Sequence, residues 1–223
     1  MALLTVAGLS KSFGGVQAVH QVSFSLQSGE LLALIGPNGA GKSTCFNMLN
    51  GQLRPDAGTI LLEGEDVTGD PPRAVWRRGV GRTFQVAATF GSMTVRENVQ
   101  MVLLSRARRL LRLWRRASEQ YREEAMALLA RVGMAEQAER PCALLAYGDV
   151  KRVELAMALA HEPRLLLMDE PTAGMAPRER NELMALVAEL ARERALGVLF
   201  TEHSMDVVFT YAQHVLVLTR GQI

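Results

Sequence analysis

Nine consecutive residues, Gly36 to Thr44, restrict the fold of this chain more than any other stretch. They read GPNGAGKST and lie between the apolar run Leu31–Ile35 and the start of a helical pattern. A glycine-rich turn between a buried strand and a helix, closed by a Lys-Ser pair, is the phosphate-loop pattern in the context that pattern requires. The glycines let backbone N–H groups curl around an anion. Lys42 then neutralises β- and γ-phosphate charge, and the Ser43 hydroxyl ligates Mg²⁺. A turn that merely caps a helix needs no Lys-Ser pair. Gly36, Pro37, Asn38, Gly39, Ala40, Gly41, Lys42, Ser43 and Thr44 are therefore the expected nucleotide-binding residues.

Before the loop, Val22, Phe24 and Leu26 alternate as one face of an antiparallel strand, and Glu30 to Ile35 reads as a continuous apolar strand. After it come a short strand at Gly58 to Leu62, a brief basic helix following Pro71 and Pro72, and a strand at Val80 to Gln85. From Val95 to about Leu159 the spacing is helical, with Val99, Val102, Leu103 and then Ala125, Leu128, Leu129, Val132 three and four residues apart. Strand and helix alternate again after Pro163: Leu165 to Met168, a helix from about Arg178, Val198 to Thr201, a helix from Ser204, and Val215 to Leu218. This is an α/β pattern with a parallel central sheet and an inserted helical lobe. No Gly/Ser-rich linker divides the chain, so both parts are expected to fold as one unit.

Composition narrows the partners. With 223 residues and a formal net charge of +2, the chain can bury a large core but lacks the concentrated basic stripe of a nucleic-acid binder. Its longest apolar runs, Leu31–Ile35, Leu165–Met168 and Leu196–Phe200, fall far short of the roughly 18 residues that span a bilayer. Met1 to Ser10 lacks the pattern of a secretion signal, and a cytosolic location is expected. Cys45 and Cys142 stand far apart with no histidine at ligand spacing, which predicts ordinary buried thiols.

Leu165 to Glu170 reads LLLMDE, an apolar strand delivering two adjacent carboxylates to its C-terminal end, where α/β sheets place ligands. Asp169 suits Mg²⁺ binding in the second shell. The chain turns there, so Glu170 can reach an attacking water as general base. Kinases, GTPases and helicases share a phosphate loop, so the class rests on other residues. Leu145, Ala146, Tyr147, Gly148 and Asp149 read LAYGD, ahead of a helix and some twenty residues before the aspartate strand. They resemble the signature of ABC transporter ATPases, usually LSGGQ. Gln85, at the end of its strand, resembles the family's glutamine that reaches Mg²⁺ and the lytic water. His203, after Thr201, resembles the switch histidine that contacts the γ-phosphate. Phe13 resembles the aromatic that stacks on adenine; a strand residue packing on the core is the alternative.

The resemblance spans essentially the whole chain. RTFQ at Arg82 to Gln85, MTVRENV at Met93 to Val99, LAYG, DEPTAGMAP at Asp169 to Pro177 and TEH at Thr201 to His203 look like the ATP-binding subunit of branched-chain amino acid transporters. Relatives in that branch move urea or short amides, and a lipopolysaccharide-export ATPase is a cousin. The resemblance implies a P-loop NTPase (RecA-like) core, about 1–90 and 162–223, with an N-terminal antiparallel β-subdomain and an inserted α-helical subdomain, about 91–161. It also implies ATP and Mg²⁺ as cofactors and a second ATP-binding subunit that supplies its signature in trans. Two integral membrane permease subunits and, indirectly, an extracytoplasmic substrate-binding protein are the further partners implied. The chain would sit peripherally on the inner face of the cell membrane, and no nucleic acid is expected.

Several positions depart from the family pattern. Ala146 stands where the signature serine donates to the γ-phosphate, so one donor worth about 1.5 to 3 kcal/mol is missing. Asp149 replaces the signature glutamine. Either it caps a helix Val150–Ala160, with Lys151 and Arg152 offsetting its charge, or it weakens the trans site of a heterodimer. Ala176 occupies a position usually held by Asp or Asn in the loop that links the two sites. Six arginines mixed with Leu110, Leu111, Leu113 and Trp114 between Arg106 and Arg116 allow two readings, a solvated helix face or contact with anionic lipid. Family members usually continue through further helix beyond the position of Ile223.

Overall fold

The computed structural model describes residues 2–83, 89–107 and 120–223. Its elements run β1 (Leu4–Phe13), β2 (Val16–Leu26), β3 (Leu31–Ile35), α1 (Lys42–Leu49), β4 (Ala57–Leu62), β5 (Glu65–Asp66), α2 (Pro72–Arg77), β6 (Val80–Thr83), α3 (Val95–Arg106), α4 (Arg122–Arg131), α5 (Tyr147–Leu159), β7 (Leu165–Asp169), α6 (Pro177–Arg194), β8 (Gly197–Thr201), α7 (Met205–Tyr211) and β9 (His214–Val217). Strands β2-β1-β4-β5 form an antiparallel sheet, and β6-β7-β8-β3-β9 form a second sheet whose pairings are all parallel.

The parallel strands are buried on both faces, which is why they read as continuous apolar runs instead of alternating ones. Along them, side chains go by turns to two separate cores. Leu32, Leu34, Leu165, Leu167 and Leu199 pack toward α1 and the antiparallel sheet, while Leu31, Ala33, Leu166, Met168, Val198 and Phe200 pack toward the helices that follow β6. Every one of these residues is at most 1% exposed. Each such leucine contributes about 1.5 to 3 kcal/mol relative to an exposed position, so the sheet is a stiff base for the loops at its end.

Helix boundaries follow local chemistry. Thr94 caps α3 by accepting from the Glu97 N–H at 3.2 Å, while the Glu97 carboxylate accepts from the Thr94 N–H at 2.8 Å, a reciprocal capping box. Proline occupies the first turn of both α2 and α6, where its missing N–H costs nothing. The helical spacing from Val95 to Leu159 is interrupted, because short 3₁₀ turns at Ala135–Gln137 and Cys142–Leu144 separate α4 from α5. Pro141 precedes the second turn in an extended conformation, so periodicity alone over-extended the helix there. The strand expected at Val80 to Gln85 is described to Thr83, and Gln85 lies outside the described residues, as do 108–119 of the arginine-rich segment. The last strand is His214–Val217, one residue earlier than expected, in register with Leu32–Ile35 of β3. Both cysteines are buried free thiols, and burial pushes the Cys45 thiol up to about 12. Among the described residues no helix is long and apolar enough to cross a membrane.

A candidate nucleotide site at the end of the parallel sheet

Because β6, β7, β8 and β3 are parallel neighbours, the segments leaving their C-terminal ends emerge along one edge. That edge is where open α/β sheets hold ligands. Residues 36–41 leave β3, Glu170 follows β7, and Glu202 and His203 follow β8. Strands lie about 4.8 Å apart, so β8 places the His203 loop between the phosphate loop and Glu170.

The loop at 36–41 is pinned from beneath. Leu218 N–H donates to Ile35 O at 2.8 Å, and Gly221 N–H donates to Ala40 O at 3.0 Å. Gly41, with φ 107°, turns the chain into α1, and a Cβ on it would lie 2.4 Å from Ala18 O. Gly41→Ala is therefore expected to cost about 3 kcal/mol or more from a left-handed backbone and a clash with main chain. A denaturant titration giving less than 1 kcal/mol would show that the turn relaxes freely. Lys42 is 8% exposed, and its Nζ donates to Gly36 O at 2.6 Å and Pro37 O at 3.1 Å, so the cation is held inside the loop. Helix α1 starts with no side-chain cap and no acidic residue in its first turn. Its uncapped N–H groups, the Lys42 cation and the exposed Ser43 hydroxyl fit a phosphate chain with a divalent cation.

The carboxylates form a tight constellation with β8. Thr201 Oγ1 donates to Asp169 Oδ1 at 2.7 Å and accepts from the Glu170 N–H at 3.0 Å. Glu170 adopts φ 48°, a left-handed conformation that costs a non-glycine residue about 1 to 3 kcal/mol. Its amide also reaches Thr201 O at 3.2 Å, which helps hold that conformation. The turned backbone brings Glu170 Oε1 to 2.9 Å from His203 Nε2. On the other side, the half-buried guanidinium of Arg82 donates to Asn47 Oδ1 at 2.8 Å and Gln52 Oε1 at 3.1 Å, and its Nη2 lies 3.5 Å from Asp169 Oδ2. Burial pushes the Arg82 guanidinium below its ordinary value, against the opposing pull of Asp169. Asp169 is thus tied to both β8 and α1.

Phe13 ends β1 at 46% exposure, with Lys11 Nζ 5.7 Å from its ring centroid, so it does not pack into the core. Leu145 to Asp149 sit on a different element from this constellation. Helix α5 begins at Tyr147, with Ala146 as an N-cap that offers no side-chain bond. Asp149 is therefore inside the first turn and not a cap. The helix starts three residues earlier than expected because Ala146 takes the extended cap conformation without a capping side chain. Lys151 pairs with Glu154 at 3.2 Å, Arg152 with Glu182 at 3.1 Å, and Asp149 accepts from Gln137 Nε2 at 3.0 Å. Gly148 is buried, a Cβ on it would make ordinary contact with the Glu179 carboxylate at 3.4 Å, and Gly174 lies against the Tyr147 ring. Ala176 is the N-cap of α6, with the Glu179 carboxylate accepting from its N–H at 3.2 Å.

Sequence reasoning gave no role to the side chains of Thr201 and Glu202. Both are at most 4% exposed, and a polar pair closing the buried run Val198–Phe200 was the available signal.

Comparison with known proteins agrees with this architecture. Residues 19–173 match the family model for ABC transporters. LivG of Escherichia coli K12, a high-affinity branched-chain amino acid transport ATP-binding protein, is 40% identical over 226 residues, covering 98% of this chain and 89% of that protein. BraF of Pseudomonas aeruginosa, with the same description, is 38% identical over 229 residues, again covering 98% and 89%. The crystal structure of an ATP-binding cassette of an ABC transporter in its ADP conformation superposes with a TM-score of 0.89 at 32% identity, covering 100% of this chain and 89% of that one. Phosphate loop, carboxylate pair, fold and relatives converge: the chain belongs to the ABC transporter family, as one of its ATP-hydrolysing cassettes.

Proposed function

We propose that this cassette binds MgATP, closes against a second ATP-binding subunit, and uses hydrolysis to drive an importer of branched-chain amino acids. The observation that carries the catalytic part is the shared sheet edge, where the 36–44 loop, Asp169, Glu170 and His203 emerge from neighbouring parallel strands. Lys42 and the uncapped amides of α1 hold the phosphates, Phe13 lies under the adenine, Glu170 accepts the proton of the attacking water, and His203 steadies the γ-phosphate. Ser43 and Asp169, with Gln85, are the positions for Mg²⁺. Held by these residues, the ion would supply positive charge against the negative charge that develops on the phosphates.

The partners follow from the same reading. Residues of about 1–90 and 162–223 act as the core and about 91–161 as a helical subdomain. Leu145 to Asp149 serve the second subunit's nucleotide, and support comes from α5, whose exposed, uncapped start leaves N–H groups open to an anion without the serine hydroxyl. Asp149 is turned toward Gln137, which favours a tolerated substitution over a disabled site. Two permease subunits and an extracytoplasmic binding protein complete the importer, with this chain on the cytoplasmic face. The cargo rests on LivG and BraF, whose names specify branched-chain amino acids. Phosphate release by the full chain is expected to rise with the square of its concentration at low occupancy, and leucine uptake by the assembled transporter to require it. First-order dependence would refute the shared site, and ATP-driven uptake of urea but not leucine would refute the cargo.

A further inference from the structure

Glu202 is a carboxylate at 4% exposure, beside a site that uses other acids for chemistry. Burying a charge is costly unless every lone pair finds a donor, and here the donors come from two different loops. Glu202 Oε1 accepts from the Thr172 N–H at 2.9 Å and from Thr172 Oγ1 at 2.7 Å, in the turn that follows Glu170. Glu202 Oε2 accepts from the His203 N–H at 3.1 Å. The carboxylate therefore joins the backbone of His203, through one oxygen, to the turn that follows Glu170, through the other. The turn it grips closes through the Ala173 N–H on Glu170 O and the Met175 N–H on Thr172 O, each at 3.2 Å. That same turn carries Gly174, which lies against Tyr147.

We propose that Glu202 is a positioning residue that fixes the separation of His203 from Glu170 and makes it depend on the turn 171–175 beside Tyr147. The inference rests on the reading that Glu170 and His203 serve hydrolysis. Glutamine has the shape of Glu202 but must aim an NH₂ group either at Thr172 or at the His203 N–H, so one loop is released. A displacement of about 1 Å at a reacting group costs on the order of 100-fold in rate.

The test compares Glu202→Gln, Thr172→Val and Thr172→Ser with wild type in the full chain. Turnover, KM for ATP, melting temperature and the His203 ring resonances by NMR without nucleotide are measured for each. Glu202→Gln is expected to lower kcat about 10- to 100-fold with KM within twofold, and to move the His203 resonances. Thr172→Val, which removes one donor, is expected to lower kcat several-fold, and Thr172→Ser to restore it. Unchanged kcat and unmoved resonances in Glu202→Gln would overturn the proposal. So would a fall in kcat matched by a raised KM and a lower melting temperature, with both Thr172 variants normal. If Glu170→Gln retained full turnover, the catalytic reading would fail instead, while the His203 resonances would still decide whether Glu202 positions the ring.

Discussion

Glu170→Gln is expected to reduce ATP turnover by about 100- to 10,000-fold while leaving nucleotide affinity within a few-fold of wild type, the scale of a lost general base. Glutamine preserves the volume, and its amide oxygen or nitrogen can still meet His203 Nε2, which lies 2.9 Å from Glu170 Oε1. The Glu170 N–H bonds to Thr201 and the left-handed backbone do not involve the carboxylate, so the local fold is kept. What disappears is a proton acceptor. Single-turnover phosphate release measured beside equilibrium ATP binding separates the two effects. Turnover within threefold of wild type would remove Glu170 from the chemistry and leave its contact with His203 as architecture.

Lys42→Ala is expected to act on binding. The ammonium contributes charge-assisted hydrogen bonds worth about 1.5 to 3 kcal/mol each, so losing two weakens MgATP affinity by roughly 100- to 10,000-fold. A second cost falls on the loop itself, because Gly36 O and Pro37 O lose the donor that now satisfies both. Isothermal titration with ATP, alongside a melting curve, distinguishes a lost phosphate contact from a collapsed loop. Affinity preserved within threefold would mean that the helix amides alone carry the phosphate.

The sequence disclosed those parts of the site that are local and hid those that depend on strand order. GPNGAGKST and LLLMDE are contiguous, and each announces its own strand and turn. That Thr201 bonds Asp169 and that Glu202 holds Thr172 follow from β8 lying beside β7, and that Arg82 approaches Asp169 follows from β6 lying on the other side of β7, adjacencies that no periodicity encodes. The misplacement of Asp149 has a different origin. A helix start is recognised by Ser, Thr, Asp or Asn, and α5 uses Ala146, so the nearest polar residue attracted the assignment. At α3 the ordinary signal is present in Thr94 and Glu97, and that boundary is where the periodicity began.

Strand order also sets a schedule for synthesis. The antiparallel β1–β2 pair can form as soon as it is made, but among the described residues β3 pairs only with β8 and β9, whose residues begin at Gly197 and His214. At roughly 5 to 20 residues per second on a ribosome, the wait is on the order of 10 to 40 s. Throughout that interval Leu31–Ile35 is an apolar strand with both edges unpaired, ready to aggregate or to be held by a chaperone. A nascent chain arrested before Gly197 is therefore expected to show no ATP-protected fragment to protease, and the nucleotide itself becomes available as a folding ligand only once Gly197–Thr201 has been made.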